Sequence, residues 1–166
     1  MTLRQEALLA SYRRLERPLY NVLYRQLWQA EDCQDVIHDA YVRVWERRDT
    51  VDEATLDPLL WTTALNLAKN RLRRWRVLRR HDDVDSMATT LAANEMTEDF
   101  LTTRRLQHAL RQLPRASQQL LLMSTFSGMR GAEIASVLGI PAGTVASRKH
   151  AAMAQLKLLM GEPADD

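Results

Sequence analysis

The chain has 166 residues, and 23 Lys and Arg against 21 Asp and Glu leave a formal charge of +2 at pH 7. This length allows one domain or two very small ones and excludes a large multidomain enzyme. With 46% hydrophobic and 27% charged residues, the composition is typical of a folded protein. An apolar run such as residues 120–123 is far shorter than the roughly 18 residues that a membrane span needs.

The N-terminal and cysteine patterns indicate the compartment. Arg4 and Glu6 interrupt a short Leu and Ala pattern at residues 1–10, so no signal peptide is visible there. Cys33 is the only cysteine, which excludes an internal disulfide and every zinc site built from several cysteines. The sequence therefore predicts a cytoplasmic protein without membrane insertion.

Apolar residues recur at the helical spacing i, i+3, i+4, i+7, and strand-type alternation does not recur. The first stripe lies at residues 36–45, a third at 106–113 stops at a proline, and an apolar helix at 120–126 is ended by a glycine. The second, weaker stripe consists of Leu59, Leu60, Thr63, Leu67 and Leu72. Trp61 lies beside it and is expected in the core, and the alternative is an exposed ring that stacks on an unpaired base. The pattern predicts an all-α fold.

Charge divides the chain. Six arginines lie between residues 71 and 80, and the acidic stretch 81–98 that follows has the mixed polar composition of a solvated linker. We therefore predict two small helical domains, at about residues 8–78 and 102–161, joined by a flexible acidic linker over 79–101.

A helix-turn-helix is predicted at residues 131–156. Gly139 ends its first helix with a sharp turn at positive φ, and Ala135 and Gly139 are small where two helices must approach closely. The second helix leaves polar and basic side chains available for a DNA major groove or its phosphates. These side chains are Thr144, Ser147, Arg148 and Lys149. The alternative is a plain helical hairpin.

The arginine cluster continues a helix that carries Asn66, Lys69 and Asn70. Guanidinium groups at this density repel one another unless they are solvated or bound to anions, so the phosphates of a nucleic acid would stabilise them. The alternative is a solvated basic helix end that the acidic linker neutralises.

An acidic stripe precedes the cluster. Asp32, Asp35 and Asp39 lie three and four residues apart and therefore share one helix face. Only the isolated His38 accompanies them, so the pattern does not favour a metal or hydrolase site. An ordinary solvated face and a docking surface for a basic protein partner remain open.

These segments resemble, in order and separation, the extracytoplasmic-function sigma factors, which are two-domain specificity subunits of bacterial RNA polymerase. Residues 32–45 are similar to the region 2 motif D-A-E-D-L-V-Q-E-x-F-L-R-V-W, and residues 59–74 to the motif W-L-Y-R-I-A-R-N-L-A-x-D-x-L-R-R that follows it. Residues 113–152 resemble region 4, with its L-P, E-I-A, L-G-I, G-T-V and S-R-x-H elements. The chain departs from region 4 at Ala146 and Ala151, where basic residues are usual.

The resemblance implies a protein that is not an enzyme by itself and has no catalytic residue, cofactor or metal. The polymerase performs the phosphoryl chemistry, and this chain supplies promoter choice and assists strand opening. The face of Asp32, Asp35 and Asp39 would dock on the β′ clamp helices, and region 4 would rest on the β flap. An anti-sigma factor is a further partner that the resemblance leaves open.

The resemblance also implies the promoter contacts. For the −35 element they are Thr144, Ser147, Arg148, Lys149 and His150, and for the −10 element Asn66, Asn70, Arg71, Arg73 and Arg74. The loop at 47–56 would hold an unpaired base, with hydrogen bonds from Asp49, Thr50, Asp52 and Thr55. The alternative function is a free-standing helix-turn-helix regulator whose N-terminal helices dimerise or sense a signal.

Overall fold

The structure, a computed structural model, describes residues 2–81 and 97–161. Seven α-helices and two short 3-10 segments make up these ranges, and no strand occurs in them, which confirms the all-α prediction. The helices are α1 (Gln5–Leu27), α2 (Ala30–Glu46), α3 (Leu56–His81), α4 (Glu98–Gln112), α5 (Arg115–Phe126), α6 (Gly131–Leu138) and α7 (Val145–Met160); the 3-10 segments are Glu53–Thr55 and Ala142–Thr144.

The ends of α3 and α4 lie inside the stretch that the sequence assigns to the linker. Helix α3 continues to His81, and α4 begins at Glu98, where the Thr97 hydroxyl caps it by accepting the Phe100 N–H at 3.4 Å. The rest of the predicted linker, 82–96, lies outside the described residues. No helix in the described ranges is long and apolar enough to cross a membrane.

Helices α1, α2 and α3 pack against one another in pairs. The stripe predicted on α2 is confirmed, because Val36, Ala40 and Val44 are buried and face the other two helices. Cys33 is also buried, and desolvation raises the pKa of its thiol to about 12 with help from the charge of Asp32. The thiol therefore stays protonated and is a packing group.

The most buried face of α3 lies beside the predicted stripe, whose residues Leu59, Leu67 and Leu72 pack against the core while partly buried. Its buried residues are Leu56, Leu60, Trp61, Ala64, Leu65 and Ala68. Apart from Leu60, the residues predicted to face the core are only half-buried. Helix α3 packs against α1 and α2 and also against α6. Trp61 is fully buried, as expected.

Helices α4 to α7 form the second half of the molecule, in which α5 and α4 pack on α7. The apolar run of α5 is fully inside, from Leu120 to Met123. The two halves also touch, since α1 contacts α5 and α3 contacts α6. The guanidinium of Arg25 lies 3.6 Å from the ring centre of Phe126 at this contact, a cation–π geometry.

The helix-turn-helix is formed by α6, a tight turn and α7. Gly139 has φ +66° and donates its N–H to the Ala135 carbonyl, which is the left-handed helix end that the sequence predicts. A Cβ added at Gly139 meets nothing within 4 Å, so the expectation of a close helix approach at this glycine was wrong and only its φ requires glycine. Ala135 is buried. At the start of α6, Glu133 accepts the Arg130 N–H at 2.7 Å.

Candidate nucleic-acid and protein interfaces

The three carboxylates of α2 lie on one side of the helix, opposite its buried stripe. The side chain of Asp35 is 65% exposed and that of Asp32 is 27% exposed, and Asp39 is also exposed. Among the described residues, no three His, Cys, Asp or Glu side chains are grouped so that they hold a metal ion. The arrangement suits attraction of a basic surface, since the charges are displayed side by side.

Arg71 reaches from α3 to this acidic side. Its Nη1 lies 2.6 Å from Oδ1 of Asp32 and 3.5 Å from Oδ2 of Asp35. The Arg71 side chain is only 26% exposed, so the ion pair with Asp32 is partly shielded from water. The structure thus joins one residue predicted to bind the promoter to two predicted to bind polymerase, a contact between residues 39 positions apart in the chain.

The remaining polar residues predicted for the −10 element lie together on α3. Asn66, Asn70, Arg73 and Arg74 are all exposed and, at 3.6 residues per turn, fall within an arc of about 100°. Further positively charged side chains lie beyond these four residues. Burial, together with the positive charge of Arg76, lowers the pKa of Arg115 in the second half of the molecule. The exposed arginines of α3 therefore form a surface that attracts anions.

The loop between α2 and α3 is ordered by its own hydrogen bonds. Asp52 caps the 3-10 segment by accepting a backbone N–H at 3.0 Å, and the hydroxyls of Thr50 and Thr55 each donate to a backbone carbonyl at 3.0 Å. Glu53 forms an ion pair with Arg4 at 2.9 Å. Three polar side chains expected to be available for a base therefore make contacts inside the loop.

Helix α7 displays most of the residues predicted to contact the −35 element. Ser147, Arg148 and His150 are exposed, and the half-buried Thr144 donates its hydroxyl to a backbone carbonyl at 2.8 Å in the turn before the helix. These four lie within an arc of about 160°. Lys149 is also exposed but stands about 160° around the helix from Ser147. Val145 is buried and anchors the start of α7.

A groove between α1 and α2 was not predicted. It encloses about 730 Å³ and is lined mainly by apolar and aromatic side chains. Among them, Leu9, Tyr12 and Val42 are 48%, 36% and 40% exposed. The sequence signal was Val42, an apolar residue outside the buried stripe of α2. His38 also lines the groove, so this surface borders the acidic side of the same helix.

Two family models match the chain, sigma-70 region 2 over residues 11–77 and sigma-70 region 4 over residues 103–156. Together they span most of its length. The chain belongs to the sigma-70 family. It is an RNA polymerase sigma factor of the extracytoplasmic-function type, as the sequence predicted, and it works with core polymerase and promoter DNA. The alternative of a free-standing regulator is not favoured, because region 2 accompanies the helix-turn-helix.

Curated relatives are sigma factors over nearly the whole length. The chain is 27% identical over 159 residues to the ECF RNA polymerase sigma factor SigL of Mycobacterium tuberculosis, covering 89% of this sigma factor and 90% of that relative. It is 28% identical over 155 residues to the RNA polymerase sigma-E factor of Streptomyces avermitilis, covering 93% and 79% of the two chains.

Two solved structures share the fold. CnrH, solved in complex with the cytosolic domain of CnrY, superposes with a TM-score of 0.68 at 23% identity, covering 95% of this sigma factor and 90% of that chain. The sigma factor RpoE of Bartonella quintana, solved with the anti-sigma factor NepR, gives 0.63 at 21% identity and covers 95% of both chains. The two-domain all-α fold is therefore shared with these proteins.

Proposed function

We propose that this sigma factor uses three separate surfaces, one for core polymerase and two for the promoter. The observation that carries the proposal is their exposure on three different helices. The acidic side of α2, the side of α3 that carries the predicted −10 residues and the side of α7 that carries the predicted −35 residues all face solvent. A protein that holds polymerase and two promoter elements at once requires such separate surfaces.

The acidic side of α2 is the proposed site for the β′ clamp helices. Asp35 and Asp39 supply its most exposed charges, and opposite charge across an interface steers encounter and fixes orientation. The groove between α1 and α2 borders this side and extends it with apolar surface, as the core of a protein interface requires. We propose that region 4 rests on the β flap.

For the −10 element we propose contacts from Asn66, Asn70, Arg73 and Arg74, whose shared arc on α3 fits one stretch of DNA backbone. Arg71 is engaged with Asp32 in the free protein. The loop at 47–56 is proposed to limit which −10 bases are accepted. Its internal hydrogen bonds support this role, since they hold the loop in a defined shape.

For the −35 element we propose that Thr144, Ser147, Arg148 and His150 face the major groove, since they share one side of α7. Lys149 lies on the other side of the helix. We assign it to a flanking phosphate, where a point charge suffices and no base geometry is needed.

We further propose domain limits at about residues 8–78 and 102–161, with the linker at 79–101, into which the end of α3 and the first turn of α4 extend. Since the polymerase carries out RNA synthesis, this sigma factor needs no catalytic residue, cofactor or metal of its own, and it works in the cytoplasm beside its polymerase. Both solved structures of similar fold contain a second protein, and one of these, NepR, is an anti-sigma factor. A regulator of that class is a proposed partner here.

The direct test adds the purified protein to core RNA polymerase and genomic DNA and sequences the 5′ ends of the transcripts. We expect start sites that appear only with this protein and that share two upstream sequence elements at constant spacing. Transcription that requires a second sigma factor, with this protein bound elsewhere on the DNA, would instead support a free-standing regulator.

A second prediction concerns Arg148. If Arg148 contacts a base, replacing it with Ala is expected to weaken binding of the holoenzyme to its −35 element by about 1 to 3 kcal/mol. The variant should also lose its discrimination between bases at one position of that element. Fluorescence anisotropy on a series of single-base −35 variants measures this. Arg105→Ala on α4, also an exposed arginine, is the matched control. Unchanged affinity for the whole series at every salt concentration would remove Arg148 from the interface.

A further inference from the structure

The ion pair between Arg71 and Asp32 links two surfaces that the proposed function assigns to different partners. Arg71 lies on α3, three residues before Arg74, so the two side chains lie on adjacent turns of the same side of the helix. Its guanidinium is nevertheless directed to α2, where it binds Asp32 at 2.6 Å and lies 3.5 Å from Asp35. In the free protein, the positive charge of Arg71 therefore lies beside the carboxylates of α2 and not beside the exposed arginines of α3.

The same carboxylates are accessible to a second protein. Asp35 is mostly exposed, and Asp32 lines a cavity of about 320 Å³ beside Gln29 and Trp75. A basic side chain that approaches this side contacts Asp32 and Asp35, which are already paired with Arg71. Two cations cannot occupy one carboxylate without mutual repulsion, so a partner that binds there displaces Arg71 or binds against its charge.

We propose that docking of core polymerase releases Arg71 from Asp32 and Asp35 and makes its guanidinium available to a promoter phosphate beside Arg74. The inference rests on the proposed docking and −10 surfaces and adds a coupling between them. In the exchange, a cation of the partner takes the place of Arg71 at the carboxylates. The guanidinium of Arg71 then pairs with a phosphate. Partly exposed ion pairs are weak, so the exchange requires no large rearrangement of the core.

The exchange predicts effects of opposite sign for Arg71→Gln. Affinity for core polymerase is expected to rise about fivefold, because the carboxylates are then free of a competing cation. Affinity of the assembled holoenzyme for mixed-sequence duplex DNA is expected to fall, and the slope of log affinity against log salt to flatten by about 0.9, the value of one phosphate contact. DNA binding of the free protein is expected to stay unchanged, since Arg71 is not available there.

Asp32→Asn is the reciprocal variant and covers the case in which Arg71→Gln does not fold. It removes the closest partner of Arg71 without core polymerase. We expect the free protein to bind the mixed-sequence duplex more tightly and with a salt slope steeper by about 0.9. Circular dichroism melting of each variant is the control that tests whether its helices remain folded.

Two control variants separate this inference from the proposed function. Asp39→Lys tests the docking side at a carboxylate that does not contact Arg71, and Arg74→Gln tests the DNA side alone. If Asp39→Lys leaves core binding intact, the docking surface itself is wrong. If Asp39→Lys weakens core binding but Arg71→Gln changes DNA binding equally in the free protein and the holoenzyme, docking stands and the release of Arg71 is overturned. Loss of both core and DNA binding in Arg71→Gln overturns it as well, because a merely structural brace gives that result.

Discussion

Reversal of Asp35 and Asp39 to Lys together is expected to lower the affinity for core polymerase by about 100-fold or more. Both side chains are exposed on the same side of α2 and face a surface inferred to be basic. Like charges brought together at an interface cost several kcal/mol, and this variant places two there. The fold should be retained, since Asp32 keeps the closer contact with Arg71 and neither substituted residue lies in the core.

The affinity is measured by competition with a labelled sigma factor for core polymerase. Glu98→Lys with Asp99→Lys carries the same change in net charge at the exposed start of α4 and is the matched control. The docking assignment is wrong if the α2 variant binds core polymerase as tightly as the parent does. Equal losses in the α2 variant and the α4 control would attribute the effect to net charge and not to a site.

Replacement of Trp61 by Ala is expected to reduce the free energy of unfolding by about 3 to 5 kcal/mol. The side chain is fully buried in the hydrophobic core, where its truncation leaves a cavity. Small domains have only about 5 to 15 kcal/mol of stability, so a large share of it would be lost. Urea denaturation followed by circular dichroism measures the change.

Trp61→Phe is the informative companion variant. The Nε1 of Trp61 is buried and has no hydrogen-bond partner among the described residues, so Phe keeps most of the ring and removes an unsatisfied donor. We expect it to cost clearly less than Ala. A loss below about 1 kcal/mol for Trp61→Ala would contradict the placement of this ring in the core.

Local patterns in the sequence predicted the elements correctly wherever neighbours in the chain decide the outcome. The stripe of α2 depends on the helical period, and the left-handed end of α6 depends on the backbone freedom of Gly139. The family motifs likewise combine residues within single segments, which is why region 2 and region 4 were both recognisable before the fold was known.

The tertiary structure decided features that depend on residues far apart in the chain. The most buried residues of α3 lie beside its predicted stripe, and the helix contacts α6 as well as α1 and α2, which no local period records. The apolar groove exists only because α1 and α2 lie side by side. Arg71 and Asp32 are charged residues that are ordinary surface groups when considered alone. Their pairing across 39 positions depends on how α2 and α3 pack, so the sequence determined which charges are present and the fold determined which of them meet.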